Sequence, residues 1–328
     1  MPRSQHPEIK LGQRPRLRDM VRLRRPGGEG ELEAHNRLES ARTERATQPR
    51  ITPAEIFADR TGFDADFLSD FKVALPKPEG ARLRDVTPVG GNRDGRLDYQ
   101  NFSVVMSAAR RTAMFTAVNI EGARSVSIER DSDKWSLDGR IPIEAQIGEE
   151  LYTANRLDRG HLVRREDPNW GDGATIANSD TFHFTNCAPQ MDIVNQKTWL
   201  GLENYILQNS RAWKERCSVF TGPVFSPSDL LFRDVLIPKA FWKVVAFLSD
   251  DARPSATAYV VEQGKELGQL EAAFGAYKTY QKSVRQIERL TGLSFGALPN
   301  FDGFSNEEEL EGGLTIAAEI KVLGDIRV

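Results

Sequence analysis

Two apolar, β-branched runs separated by a short turn constrain the fold of this chain more than any other feature. They lie in YQNFSVVMSAARRTAMFTAVNI, residues 99–120, and the turn between them carries two arginines. Such runs are typical of strands, and a connection this short joins antiparallel neighbours. By the same criteria we predict strands at Phe102–Met106, Met114–Ile120, Ser125–Ile128, His161–Val163, Thr181–Asn186, Ser218–Thr221, Lys243–Leu248 and Ala256–Glu262.

The predicted strands do not alternate with helices, as the strands of a parallel sheet would. Apolar residues occur at helical spacing in NQKTWLGLENYILQNSRAWKE and again in SVRQIERLTG, which ends at Gly292. The pattern therefore predicts an α+β fold built around an antiparallel sheet.

Charge and composition divide the chain into three parts. Residues 1–50 hold 12 of the 44 Lys and Arg residues and 7 of the 47 Asp and Glu residues, so the remainder carries 32 basic against 40 acidic groups. We predict a basic tail at 1–50, disordered or ordered by a partner, a helical, proline-rich docking segment at 51–88 and the main domain at 89–328. The acidic main part excludes a general positive field, although it leaves room for a local basic groove.

Composition also excludes several classes of protein. No window approaches the run of about 18 apolar residues that a membrane span needs, and the N-terminus lacks the apolar core of a secretory signal. We therefore expect a cytoplasmic protein with no membrane partner. Cys187 and Cys217 are too few for a disulfide framework and form no CxxC pair, which argues against a zinc site and leaves one bridge between them open.

One histidine lies among charged residues in LDRGHLVRRED, residues 157–167. The chain has four histidines, and two of them, His6 and His35, belong to the basic tail. His161 and His183 remain as candidates for chemistry. In the sequence FHF the neighbours of His183 point to the opposite face of a strand, which favours a structural role for it.

The predicted elements after His161 bring polar groups together. A strand beginning at His161 precedes a long loop and a second strand that ends at Asn186. The following helix carries Asn195 at its start and Glu203 two turns further along. We expect these four side chains to converge on one site.

Phosphodiester hydrolysis requires this combination of groups. Because a phosphodiester repels hydroxide, water must lose its proton during the attack, and a neutral imidazole is a suitable base. Arginine or a divalent cation must offset the charge that develops on the phosphate oxygens. Mg²⁺ keeps most of its water ligands, so one asparagine oxygen can anchor it and a carboxylate can hold the metal-bound water.

Three blocks, DRGHLVRRED, DTFHFTNCAPQ and NQKTWLGLENY, follow one another between residues 158 and 205. Together they resemble the DNA/RNA non-specific endonucleases, a family that includes endonuclease G and the secreted Serratia-type nuclease. The resemblance extends from about Gly91 to Gly292 and implies an antiparallel sheet core with an embedded ββα-metal nuclease motif. It also implies an enzyme that cuts DNA and RNA internally and leaves 5′-phosphate ends.

The resemblance assigns roles to individual residues. It implies that His161 is the general base, that Asn195 binds the metal directly, that Glu203 holds metal-bound water and that Asn186 braces the site. The other residues of the catalytic and substrate-binding sets are Arg159, which precedes the histidine, its neighbour Asp158, one hairpin arginine, Arg111 or Arg110, and the pair Arg164 and Arg165. Arg164 and Arg165 either contact the phosphate backbone of the substrate or are solvated residues of a loop.

The implied cofactor is Mg²⁺, with Mn²⁺ as a substitute, and the implied substrates are DNA and RNA. Relatives of endonuclease G imply a homodimer. Since an unrestrained nuclease would be toxic, we expect a regulatory protein partner or inhibitor, as for a defence or suicide effector. Two alternatives stay open: a nucleic-acid-binding regulatory module that retains the nuclease fold, and a phosphodiesterase for small nucleotides whose groove is reshaped by the loop at 166–180.

Overall fold

A computed structural model describes residues 49–90, 94–130, 133–191, 198–249, 251–263, 278–321 and 325–327. The basic tail predicted at 1–50 lies outside this part except for its last two residues. The strands of the described part are β1 (Ile51–Thr52), β2 (Lys77–Pro78), β3 (Arg96–Tyr99), β4 (Phe102–Met106), β5 (Ala113–Glu121), β6 (Leu137–Asp138), β7 (Leu157–His161), β8 (Cys187–Met191), β9 (Arg216–Pro223), β10 (Leu230–Phe232), β11 (Val235–Ile237), β12 (Ala240–Leu248), β13 (Pro254–Glu262), β14 (Lys278–Lys282), β15 (Leu293–Ser294) and β16 (Ala317–Ile320).

The described residues also form five α-helices. Those of the described part are α1 (Ala81–Arg84), α2 (Ala174–Asp180), α3 (Thr198–Trp213), α4 (Val284–Thr291) and α5 (Gly303–Leu310). The predicted helix SVRQIERLTG is confirmed as α4: the Ser283 hydroxyl accepts from the backbone N–H of Gln286, and Gly292 ends the helix with φ +71°. A glycine suits this position because the left-handed conformation costs it little.

Eight strands form one sheet in the order β16-β14-β13-β12-β9-β5-β4-β3, and all its neighbours pair antiparallel. The α+β class with an antiparallel sheet is thus confirmed. Short two-stranded pairs complete the described part: β1 with β6, β2 with β15, β7 with β8 and β10 with β11.

The sheet separates two apolar cores. One face, called here the helix face, packs against α3 and the β7–β8 pair and includes Leu157, Ala188 and Leu202. The opposite face packs against α4 and against a segment of the predicted docking region, from which Phe63 and Phe71 are buried. Successive residues of each strand contribute to different cores, as the two-residue period of a strand requires.

Three predicted strands were wrong. Residues 125–128 form only an isolated bridge, between Ser125 and Trp170. The strand predicted at 161–163 ends at His161, and the one predicted at 181–186 begins only at Cys187. Pro189 made the second of these strands difficult to predict. Proline cannot donate a backbone hydrogen bond to a neighbouring strand, so within sheets it is typical of edge strands.

Both cysteines are buried free thiols, so the bridge that the sequence left open does not form. Within the described ranges, no helix is long and apolar enough to cross a membrane.

Candidate active site

Two antiparallel strands and a helix form the candidate site. In the β7–β8 pair, called here the ribbon, His161 lies opposite Cys187 and Arg159 lies opposite Pro189. Helix α3 follows the ribbon in the chain, which gives the order β, β, α of the predicted motif. Asn195, the predicted metal ligand, lies in 192–197, outside the described residues.

Asn186 determines where the ribbon begins. Its side-chain Oδ1 accepts from the backbone N–H of Val163 at 2.9 Å, and its Nδ2 donates to the backbone oxygens of Val163 at 2.9 Å and Thr181 at 3.0 Å. The side chain therefore bonds backbone groups that would otherwise be free to extend the pairing of the two strands. Asn186 is fully buried and its amide is satisfied by backbone, which supports the bracing role expected for it.

Gly160 of the DRGH segment lies under the side chain of Gln190. A Cβ added at Gly160 would come within 2.2 Å of the Gln190 side chain. Gln190 is itself completely buried, so it has little room to move away. Glycine is therefore required between Arg159 and His161 for the two strands to pair closely.

His161 lies in an aromatic pocket at the end of the ribbon. Its ring centroid is 4.7 Å from that of Trp135 and 5.1 Å from that of Phe182, which contacts it edge-on. Its Nε2 is buried and has no hydrogen-bond partner among the described residues. Burial lowers the pKa of His161 to about 3, and the charges of Arg130, Arg165 and Arg164 act in the same direction, against Asp133. The imidazole is consequently neutral, with a nitrogen available to accept a proton.

This environment predicts how His161 titrates. In the free protein its ring should remain neutral at pH 5, because the pKa lies far below the usual 6.5. A bound oligonucleotide should raise that pKa, since phosphate charge offsets the nearby arginines. NMR titration of the imidazole signals, with and without an oligonucleotide and in the absence of divalent cations, measures both values. A His161 that titrates near 6.5 in the free protein would contradict the buried placement.

Helix α3 carries Glu203 on its buried side, next to charged groups of the sheet. Glu203 is 7% exposed, and its Oε1 lies 3.4 Å from Nζ of Lys243 on β12. Burial raises the pKa of Glu203, while Lys243 and Arg164 lower it. A second buried carboxyl, Asp167, has its pKa raised to about 7 by burial, with Glu203 acting in the same direction. The helix face therefore holds a cluster of two acids and a lysine behind the ribbon.

Arg164 lies within electrostatic reach of both halves of the site. Its charge acts on the pKa of His161 and on those of Glu203 and Asp167. Its Nη1 is buried and has no hydrogen-bond partner among the described residues. A guanidinium whose donors are not all used by the protein can bind a phosphate oxygen.

The neighbouring arginines are engaged by the protein. Arg165 donates to the backbone oxygen of Ile128 and to Asn178 and pairs with Glu166, so its contacts are structural. Arg159 pairs with both oxygens of Glu149. Arg164 thus differs from Arg165 in having a nitrogen without a partner among the described residues, and Arg159 lies in an ion pair from which a substrate would have to release it. The substrate-binding roles of Arg164 and Arg165 stay predictions.

Asp158 is half-buried and lies opposite Gln190 in the ribbon. Its substrate-binding role stays a prediction.

The two hairpin arginines contact a different region. Arg110 forms an ion pair with the completely buried side chain of Asp229 at 2.9 Å and donates to the backbone oxygen of Ser226. This ion pair occupies the guanidinium of Arg110 in the structure, and its substrate-binding role stays a prediction. Arg111 donates to the backbone oxygen of Asp234 at an exposed position. Its entry into the site stays a prediction.

The described residues fit a metal that takes few protein ligands. Among them, no group of three or more His, Cys, Asp and Glu side chains could hold a metal ion. Mg²⁺ is commonly held by one or two protein oxygens and several waters, which a buried acid such as Glu203 can bind. Zn²⁺ would need three or four His, Cys or acidic ligands.

Four residues of the site were missed from the sequence. Trp135 and Arg130 precede the ribbon by more than 20 residues in a region without periodic pattern, so nothing local indicated them. Asp167 is the last residue of DRGHLVRRED, and no periodic pattern there indicated that its side chain is buried. Lys243 could have been found from the sequence, because it interrupts the apolar run AFWKVVAF. A buried strand would normally have an apolar residue at that position.

Comparison with known proteins identifies the family. The sequence profile of the DNA/RNA non-specific endonucleases matches residues 79–301. A protein of Sinorhizobium fredii (strain NBRC 101917 / NGR234), described as "Uncharacterized protein y4fB", is 44% identical over 241 residues, which cover 69% of this chain and 36% of that protein. Human mitochondrial endonuclease G is 28% identical over 161 residues, 45% of this chain and 50% of that protein. The chain therefore spans half or less of the length of these relatives.

One solved structure also matches the chain in part. It is described as "Crystal structure of the EndoG/EndoGI complex: Mechanism of EndoG inhibition" and matches with a TM-score of 0.49 and 18% identity over 61% of this chain and 84% of that one. The profile match alone covers more than half of the chain. With the ββα order and the DRGH segment in place, the chain belongs to the DNA/RNA non-specific endonuclease family.

Proposed function

We propose that this protein is an endonuclease that hydrolyses phosphodiester bonds in both DNA and RNA with the help of Mg²⁺. One arrangement carries the proposal: His161 lies at the end of the ribbon with its Nε2 unpaired among the described residues, and the charges of Arg164 and Arg165 act on it. An imidazole in this position can accept a proton from water once bound phosphate raises its pKa, and the arginines can offset the charge that develops on the phosphate.

The family resemblance and these positions together support the following chemistry. Nε2 of His161 accepts a proton from water while the water oxygen bonds to phosphorus and the bond from phosphorus to O3′ breaks. The O3′ leaves with a proton from solvent, so the phosphate stays on the 5′ end of the product. Arg164 offsets charge on a non-bridging oxygen, and Asn186 keeps the base in place. Mg²⁺, held by Asn195 and through water by Glu203, would supply further charge stabilisation when bound.

Replacement of Asn195 by alanine tests the metal assignment. We expect a higher Mg²⁺ concentration for half-maximal rate as well as a lower maximal rate, because a direct ligand is lost. The measurement is a Mg²⁺ titration of the cleavage rate, repeated with Mn²⁺, which we expect to substitute. If the titration curve of the variant matched that of the wild type in midpoint and height, Asn195 would not be a ligand.

A matched set of substrates tests the reaction itself. DNA and RNA oligonucleotides of one sequence should both be cut internally, and the new 5′ ends should be phosphorylated. A protein that binds these oligonucleotides in a salt-sensitive manner without cutting them would be the binding module instead. Cleavage of dinucleotides alone would identify a phosphodiesterase for small nucleotides.

The remaining expectations concern the cellular context. We propose that activity is restrained by a protein partner or inhibitor, and a homodimer and a cytoplasmic location stay predictions. Full activity of the isolated chain would argue against restraint, and its mass in solution reports the oligomeric state.

A further inference from the structure

A lysine is buried where the sheet meets helix α3. On β12, Phe241 and Val245 belong to the core of the helix face, whereas Trp242 and Val244 belong to the opposite core. Lys243 therefore points to the helix face, and it is only 1% exposed. Burial of a charged side chain is costly unless partners compensate it.

The partners of Lys243 place its ammonium beside the proposed site. Nζ donates to the hydroxyl of Thr221, its cross-strand neighbour on β9, at 2.7 Å. It lies 3.4 Å from Oε1 of Glu203. The charge of Arg164 also acts on Glu203, and Glu203 in turn acts on the buried acid Asp167. One ammonium thus joins the sheet to the carboxylate of α3.

Stability alone does not account for such a pair. Replacing a buried ion pair by apolar residues of similar volume is often neutral or stabilising, so a buried pair is weak evidence for a stabilising role. The pair would have a functional reason if the site needed Glu203 as an oriented carboxylate.

We propose that Lys243 is a positioning residue for Glu203: the ammonium, fixed by Thr221, holds one carboxylate oxygen toward the sheet and thereby leaves the other for metal-bound water. This inference rests on the proposed function and adds to it a residue from the central sheet, outside the ββα arrangement.

A double-mutant cycle tests this role. The variants are Lys243→Met, which keeps the length of the side chain and removes its charge, Glu203→Gln, and the combination of the two. Mn²⁺ affinity measured by electron paramagnetic resonance is the first readout, cleavage rate the second, and the free energy of unfolding the third. We expect Lys243→Met to weaken Mn²⁺ binding by ~10–100-fold, as is typical when a residue that orients a metal ligand is lost. The double variant should be no weaker than Glu203→Gln alone, because Lys243 acts through Glu203.

Two further variants separate position from charge. Thr221→Val keeps the ammonium but removes its anchor, so we expect a smaller loss than for Lys243→Met. Lys239→Met is the control, since Lys239 lies just before β12 and its Nζ contacts only the Ser228 hydroxyl in the described side-chain contacts. It should behave like the wild type.

The outcomes are distinguishable. Wild-type Mn²⁺ affinity and rate in a folded Lys243→Met protein would overturn the inference, as would losses that add fully to those of Glu203→Gln. If Lys243→Met failed to fold, wild-type behaviour of Thr221→Val would overturn it as well. A wild type that neither binds Mn²⁺ nor cuts nucleic acid would refute the proposed function itself.

Discussion

Replacement of His161 by alanine should lower kcat by ~10²–10⁴-fold, the loss typical of a missing general base. The unpaired Nε2 is the only atom of this ring proposed to act in the reaction, so truncation removes the proton acceptor. The fold should persist, because the half-buried ring packs on Trp135 and Phe182 and its Nε2 has no hydrogen-bond partner among the described residues that the substitution could remove.

His183 provides the matched control for this experiment. It is buried, whereas His161 is half-buried. Its Nδ1 contacts the backbone oxygen of Asp180 and its Nε2 contacts the hydroxyl of Thr52, both at 2.9 Å. His183→Ala should therefore lower the free energy of unfolding and leave kcat of the folded protein nearly unchanged. Equal kcat losses in the two variants would show that His161 has no special role.

Replacement of Asn186 by alanine should reduce both stability and activity. The substitution removes the partners of three buried backbone groups, of Val163 and Thr181. At roughly 1–3 kcal/mol for each unsatisfied group, the free energy of unfolding should fall by about 3 kcal/mol or more. Since these bonds hold the chain just after His161, the base should move, and a displacement of about 1 Å can cost ~10²-fold in rate.

Asn119 is a closely matched control for this second variant. Its amide also makes three hydrogen bonds, with the backbone N–H and oxygen of Asp64 and with the hydroxyl of Ser218, and it is 1% exposed. It lies on β5 between Val118 and Ile120 of the helix face, so it points to the opposite side. Asn119→Ala should lose similar stability while kcat of the folded protein is retained. An Asn186→Ala protein that lost stability alone would contradict the bracing role.

Much of the fold could be predicted because its main strands carry local signals. The apolar, β-branched runs of β4, β5, β9, β12 and β13 indicate strands directly, and the serine and glycine around α4 mark both of its ends. The two strands of the ribbon were predicted several residues away from their observed positions, because long-range side-chain hydrogen bonds determine where they begin and end. Asn186 contacts Val163, 23 positions away, and no local pattern predicts that pairing.

The same distinction applies to the site. The DRGH segment and the asparagine that follows it are short motifs, so the sequence predicted His161 and Asn186 by resemblance. Arg164 and Lys243 act on Glu203 from a loop and from the central sheet, and their proximity depends on how the sheet packs on α3. Arg110 likewise pairs with the buried side chain of Asp229, a contact 119 positions away that no local pattern predicts.

Cleavage of a covalently closed circular plasmid tests the central claim most directly, because a substrate without ends can be opened only by an endonuclease. The account predicts that the wild-type chain nicks and linearises the plasmid in Mg²⁺, that chelation of the metal stops the reaction, and that His161→Ala lowers the initial rate by at least ~10²-fold. Intact plasmid after incubation with folded wild-type protein and Mg²⁺, or equal rates for the wild type and His161→Ala, would contradict it.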